Sequence, residues 1–131
     1  MNTKTIRQSI KIRATPAEVY EMLMDSKKHT RFTGQKANIT KKVGGSVSCY
    51  DGYITATNLE LKPAGLIVQA WRSRGWPKGH YSIVTFRLSK AGKNTRLDFT
   101  QIGVPAGDFR AKTQGWKTHY WTPLKSALER K

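Results

Sequence analysis

The chain has 131 residues, 24 of them lysine or arginine against 8 aspartate or glutamate, for a formal charge of +16 and a pI near 10.4. That length predicts a single domain over residues 1–131 with its own hydrophobic core, and the lone cysteine, Cys49, excludes an internal disulfide and favours a reducing, cytoplasmic setting. The opening run MNTKTIRQSIKIRA lacks the apolar stretch of a signal peptide, no segment reaches membrane-spanning length, and the charge predicts nonspecific attraction to nucleic acid, anionic lipid or acidic proteins.

Residues 5 to 13 alternate, with Ile6, Ile10 and Ile12 on one face and Arg7, Ser9, Lys11 and Arg13 on the other, which predicts a half-exposed strand. Thr15-Pro16-Ala17-Glu18 follows as a capping box with proline at the first helical position, and the helix it opens turns Val19, Tyr20 and Leu23 inward. A second short helix or turn is expected from Asp25 to Phe32, ending at Gly34. From residue 36 the pattern becomes strands, expected near residues 37–42, 46–50, 53–62, 66–74, 81–89 and 95–103. Between them stand Gly44-Gly45, Asp51-Gly52, Pro63-Ala64-Gly65, Pro77-Lys78-Gly79 and Ala91-Gly92-Lys93-Asn94, short glycine- and proline-bearing turns that imply an antiparallel meander.

The last stretch, Asp108 to Lys131, places Phe109, Trp116, Tyr120, Leu124, Ala127 and Leu128 on one side of a helical period. Asp108 is the expected N-cap, and Pro123, which lacks an amide hydrogen and crowds the carbonyl four residues back, is the expected kink. Strand, two short helices, six strands and one long helix make an α+β domain. Its six- to seven-stranded antiparallel sheet curls around the terminal helix, and the two short helices close one end. Strand parity turns Val84, Phe86 and Leu88, and Leu97, Phe99 and Gln101, toward that helix. In the strand at 66–74, burying an arginine pair without carboxylates is costly, so Ile67, Gln69 and Trp71 are expected inside and Arg72 and Arg74 outside.

This order resembles the helix-grip fold of the START/birch-pollen-allergen (SRPBCC) superfamily. Within it, Asp51-Gly52, Asn58-Leu59-Glu60-Leu61, Trp71-Arg72, Trp76-Pro77, His80-Tyr81-Ser82, Gly103-Val104-Pro105, Gly115-Trp116 and Tyr120-Trp121-x-Pro123-Leu124 are similar to the activator-of-heat-shock-protein-90-ATPase homologue family. The likeness is to the C-terminal domain of the eukaryotic co-chaperone and runs from about Ile6 to Glu129. It implies a chaperone as one possible partner, while the wider superfamily implies an enclosed apolar or amphipathic ligand.

The inward set Trp71, Phe86, Phe99, Gln101, Trp116 and Tyr120 either lines a ligand cavity or fills the core; the amides of Gln69 and Gln101 tip the reading toward a cavity, because a buried amide needs partners. No catalytic residue is nominated: the acidic residues are scattered, and Asp98 has outward parity beside surface arginines. His29, His80 and His119 stand apart with no ligand spacing, Cys49 reads as a structural thiol, and neither metal nor cofactor is implied. The Trp76-Pro77 loop either guards the cavity mouth or folds back on the core. The helix-grip resemblance implies that the first strand pairs with the last, and outward parity then gathers Arg7, Lys11, Arg13, Arg72, Arg74, Arg87 and Arg96 into a basic convex face suited to a polyanion or acidic partner. The expected function is a non-enzymatic module holding a small apolar or amphipathic ligand between sheet and helix. The rival is a co-chaperone-like or polyanion-binding role for the basic face, and a cyclase- or hydrolase-type enzyme stands third.

Overall fold

Period-two alternation, repeated in stretch after stretch, closes into a single antiparallel sheet of seven strands in the order β1-β7-β6-β5-β4-β3-β2. The computed structural model describes residues 2–129; Met1, Arg130 and Lys131, including the last two positions of the expected terminal helix, lie outside it. The strands are β1 (Thr3–Ile12), β2 (Asn38–Ile39), β3 (Ser46–Cys49), β4 (Ile54–Lys62), β5 (Leu66–Ser73), β6 (Ser82–Ala91) and β7 (Asn94–Pro105). First and last strands pair as expected, with Ile10 opposite Leu97 and Lys11 opposite Arg96. The expected strand at 37–42 shrinks to Asn38–Ile39, because the carbonyls of Thr40 and Lys42 accept from the buried Asn58 amide at 2.7 and 3.1 Å instead of from a neighbouring strand.

Helix α1 (Pro16–Met24) carries the full capping box: the Thr15 hydroxyl accepts from the Glu18 amide, and the Glu18 carboxylate accepts from the Thr15 amide. Helix α2 (Ser26–Thr33) is capped at its start by Asp25, which accepts from the Lys28 amide, and stopped by Gly34 at φ 76°, a left-handed conformation that favours glycine. Both helices close one end of the curl, α1 near β6 and β7 and α2 against the end of the chain.

The terminal rod begins as a 3-10 turn (Ala106–Asp108), becomes α3 (Phe109–Gly115), loosens into a π-helical segment (Trp116–Trp121) and ends as α4 (Thr122–Glu129). Trp116, Tyr120, Leu124 and Leu128 are buried, as their spacing predicts. Two details depart from the expectation. Asp108 makes no capping bond; its carboxylate instead accepts from the Trp76 indole at 2.8 Å and meets Lys112 at 2.8 Å, partners that only the folded chain supplies. The irregularity expected at Pro123 lies just before it, in the π segment. There the His119 carbonyl, four residues before a proline that has no amide hydrogen to offer, accepts the Tyr50 hydroxyl at 2.5 Å.

The core sits between the concave face of the sheet and this rod. Trp116 stacks on Trp121 with ring centres 5.4 Å apart, and its centre is 4.3 Å from that of Phe99. Gln8 on β1 ties the rod down at two points: its amide donates to the Thr113 carbonyl at 3.0 Å and its oxygen accepts from the Trp121 indole at 2.5 Å.

Candidate functional site

The rod does not fill the sheet's hollow. On the β1–β7 side Trp116, Trp121, Phe86 and Phe99 pack ring against ring. On the β2–β5 side a cavity of about 780 Å³ remains, within the range of roughly 300–1,000 Å³ over which proteins enclose small molecules. Its floor is made of buried side chains: Leu23 and Met24 of α1, His29 of α2, Val47 and Cys49 of β3, Ile54 of β4, Ile67, Gln69 and Trp71 of β5, Phe86 of β6, and Trp116 and Tyr120 of the rod. Its mouth is lined by the exposed residues Gln35, Tyr53, Ala111, Gln114, Thr118 and His119, so it opens to solvent.

Trp71, Phe86, Trp116 and Tyr120 of the expected cavity set therefore line this space, whereas Phe99 and Gln101 do not. Phe99 lies beneath Trp116. Gln101, fully buried, is satisfied by the protein: its oxygen accepts from the Trp116 indole at 2.8 Å and its amide donates to the Ser82 hydroxyl at 3.0 Å. The expected role of Gln101 in orienting a guest is thus corrected to one of anchoring the rod. Gln69 does line the cavity; its amide donates to Asn58 at 3.0 Å, the same asparagine that holds the Thr40 and Lys42 carbonyls. Trp76 is folded back onto the core, its ring centre 5.5 Å from that of Trp71, and is not part of the wall.

The chain's topology also joins groups that sequence spacing kept apart. His29 Nε2 lies 2.8 Å from the Tyr120 hydroxyl and 3.7 Å from Cys49 Sγ. Burial without a charged partner lowers the His29 pKa from 6.5 to about 4, pushes the Cys49 thiol from 9.0 up to about 12, and raises Tyr120 well above its ordinary value. At neutral pH the trio is uncharged, so the floor offers neutral hydrogen-bonding groups and not a thiolate–imidazolium nucleophile. His29 and Cys49 are 20 positions apart, on a helix and a strand, and only the β2–β3 hairpin folding under α2 brings them together. A shift of three units lowers the thiolate fraction about a thousandfold. Alkylation of Cys49 by iodoacetamide at pH 8 is therefore expected to be slower than that of a free thiol by about that factor and to become fast on unfolding; equal rates in native and urea-unfolded protein would refute the buried neutral trio.

The seven expected basic residues divide. Arg7, Lys11, Arg87 and Arg96 project outward from adjacent strands and are exposed. Asp98 sits among them. The Ser9 hydroxyl donating to it at 2.5 Å, with Arg96 at 3.0 Å and Arg87 nearby, holds its carboxyl below the usual value. Arg13 meets Glu129 at 3.7 Å. Arg72 donates to the carbonyls of Trp76 and Pro77 at 2.9 and 3.2 Å. Arg74 lies past the end of β5, and its guanidinium rests 5.9 Å from the centre of the Tyr53 ring at the cavity mouth. Of the basic patch expected across the convex face, Arg7, Lys11, Arg87 and Arg96 thus form a group on β1, β6 and β7 with Asp98 among them, while Arg13, Arg72 and Arg74 have other neighbours.

A curled antiparallel sheet gripping a C-terminal helical rod, with two short helices at one end, is the helix-grip architecture. A family model described as "Activator of Hsp90 ATPase homolog 1-like protein" matches residues 13–129, and the chain belongs to that family. An activator of 90 kDa heat shock protein ATPase homologue from Dictyostelium discoideum is 32% identical over 124 residues, covering 94% of this chain and 32% of that protein. A human homologue of the same activator is 28% identical over 114 residues, covering 87% of this chain and 34% of that protein. The chain thus spans about a third of these curated relatives. The crystal structure of an HSP90 activator from Plasmodium falciparum has the same fold, with a TM-score of 0.91 at 24% identity over 98% of this chain and 97% of that one. Among the described residues no helix is long and apolar enough to cross a membrane, and no three histidine, cysteine, aspartate or glutamate side chains gather to hold a metal.

Proposed function

We propose that this member of the activator family is a binding module that holds a small apolar or amphipathic molecule between the sheet and the terminal rod. The observation that carries this reading is the cavity of about 780 Å³ floored by buried aliphatic and aromatic side chains. Enclosing an apolar guest there removes its surface from water at about 25 cal/mol per Å², and the neutral floor offers hydrogen bonds without demanding a charge. A neutral naphthylamine fluorophore is expected to brighten on titration with the protein and to saturate at one per chain. Val47→Phe, which puts a ring into the cavity from β3, is expected to abolish the signal while leaving the circular dichroism unchanged. A wild-type protein that gives no saturable signal, and that carries no small molecule in native mass spectrometry, would remove the basis of this reading.

A second reading follows from the outer face. Ile83 of β6 pairs with Ile102 of β7 across the sheet, 38% and 56% exposed, and Tyr81, 51% exposed, lies beside them under Arg72. An apolar centre on the same outer face as Arg7, Arg87 and Lys11 fits an acidic protein surface, and the relatives' description as heat-shock ATPase activators makes a chaperone the candidate partner. Ile102→Asp is expected to abolish pull-down of a 90 kDa heat-shock chaperone; undiminished capture would exclude this face.

A further inference from the structure

Two cations gather about one ring at the mouth of the cavity: Lys112, which lines it, and Arg74, which lies just outside the lining. Tyr53, in the turn just before β4, is 42% exposed on the cavity rim. Lys112 of α3, itself a rim residue, brings its ammonium to 5.5 Å from the centre of that ring, and Arg74 brings its guanidinium to 5.9 Å. Arg74 is fixed there by its backbone, whose amide donates to the Tyr53 carbonyl at 2.8 Å. One carboxylate serves this pair, and it is shared: Asp108 meets Lys112 at 2.8 Å and also accepts from the Trp76 indole. The Arg74 side chain has no hydrogen bond or ion pair among the described residues. Two cations about one ring, with one divided counter-charge, leave donors of both free to meet an anion entering the mouth.

We infer that the guest is an amphiphile with a single carboxylate, seated with its tail on the cavity floor and its acid group at the mouth beside Tyr53, where Lys112 and Arg74 meet that ring. This rests on the reading of the cavity as a ligand site and adds the chemical class. The orientation follows from the two ends of the space. The floor, with Met24, Val47, Ile54 and Ile67, presents hydrocarbon and offers no charge to offset that of a buried carboxylate. The rim offers the Lys112 ammonium, and against the Tyr53 ring lies a guanidinium that can take both oxygens of a carboxylate in parallel. An alcohol of the same chain length would gain the floor but not the charge-assisted bonds.

The test compares dodecanoate with dodecanol as competitors of the neutral naphthylamine fluorophore, in wild type and two variants checked by circular dichroism. Wild type is expected to favour dodecanoate by at least about tenfold, less so in high salt. Arg74→Gln, an exposed change with little effect on folding, is expected to remove most of that preference and leave dodecanol unchanged. Arg87→Gln on the outer face alters the net charge equally and is expected to leave the preference intact. Equal affinity of wild type for the acid and the alcohol overturns the inference and leaves the cavity reading standing. A loss in Arg87→Gln as large as that in Arg74→Gln also overturns it, since the overall charge and not the rim would then be selecting the acid. If neither compound displaces the fluorophore, the inference falls; if the fluorophore itself does not bind, the cavity reading falls first.

Discussion

At pH 7, Trp116→Ala is expected to lose about 4 kcal/mol of folding free energy, read as a fall in the urea midpoint followed by far-ultraviolet circular dichroism. Two losses make up this figure, the ring contacts of the indole and its hydrogen bond to Gln101. The indole, 6% exposed, touches Trp71, Phe86, Phe99, Tyr120 and Trp121 with ring centres 5.6, 6.0, 4.3, 5.0 and 5.4 Å away, so its removal strips contacts from five rings. One flank of Trp116 already borders the open cavity, however, so water can enter the space left behind, which moderates the penalty for an empty void. Against that, the fully buried Gln101 loses the donor to its oxygen, a further loss of about 1–3 kcal/mol. Trp116→Phe separates the two effects. It keeps most of the ring contacts and drops the indole hydrogen, and it should cost about 1–3 kcal/mol, part of which Gln101→Leu in the same background should restore. A loss below about 1 kcal/mol for Trp116→Ala would mean that the rod is held elsewhere.

Much of this arrangement is written in local sequence. The capping box at Thr15, the stop at Gly34 and the strand faces follow from periodicity and turn residues, because each is decided by neighbours within a few positions. The pairing of first strand with last was legible only through the resemblance to helix-grip proteins. What escaped was decided by geometry between distant segments. Trp121 falls off the apolar face of a 3.6-residue helix. The π segment widens the turn so that Trp116, Tyr120 and Trp121 all reach the core, and only the sheet's packing stabilises that widening. Gln101 read as a lone buried amide in search of a ligand, yet it is satisfied by an indole 15 positions further along the chain. Arg74 shares parity with Arg72, but the strand ends at Ser73, and beyond a strand's end alternation no longer assigns a face. That one-residue difference takes a cation from the convex surface to the Tyr53 ring beside the cavity mouth. The meeting of His29, Cys49 and Tyr120 likewise has no local signal, since each residue alone has an ordinary structural explanation.

That last meeting has a measurable consequence in acid. Stability is expected to fall by roughly 2–3 kcal/mol between pH 7 and pH 4.5 through His29 alone. Folding lowers its pKa from 6.5 to about 4 through burial, and the groups packed on it, the Cys49 thiol and the Tyr120 hydroxyl, are uncharged over this range and cannot support an imidazolium. Between those two values the unfolded chain binds a proton that the folded chain does not. Acid therefore draws the equilibrium toward the unfolded state: the contribution is whole above about pH 6.5 and is lost progressively as pH falls toward 4. His29→Gln removes the titrating ring, so the difference between wild type and variant isolates this residue from the carboxylates and from the general rise in positive charge. Urea unfolding at both pH values should show the wild type weakening by roughly 2–3 kcal/mol more than the variant, whichever is the more stable at pH 7. Parallel losses in the two proteins would mean that the imidazole is charged or solvated in the fold. The cavity floor would then be a polar, water-filled site instead of the neutral surface on which an apolar tail could rest.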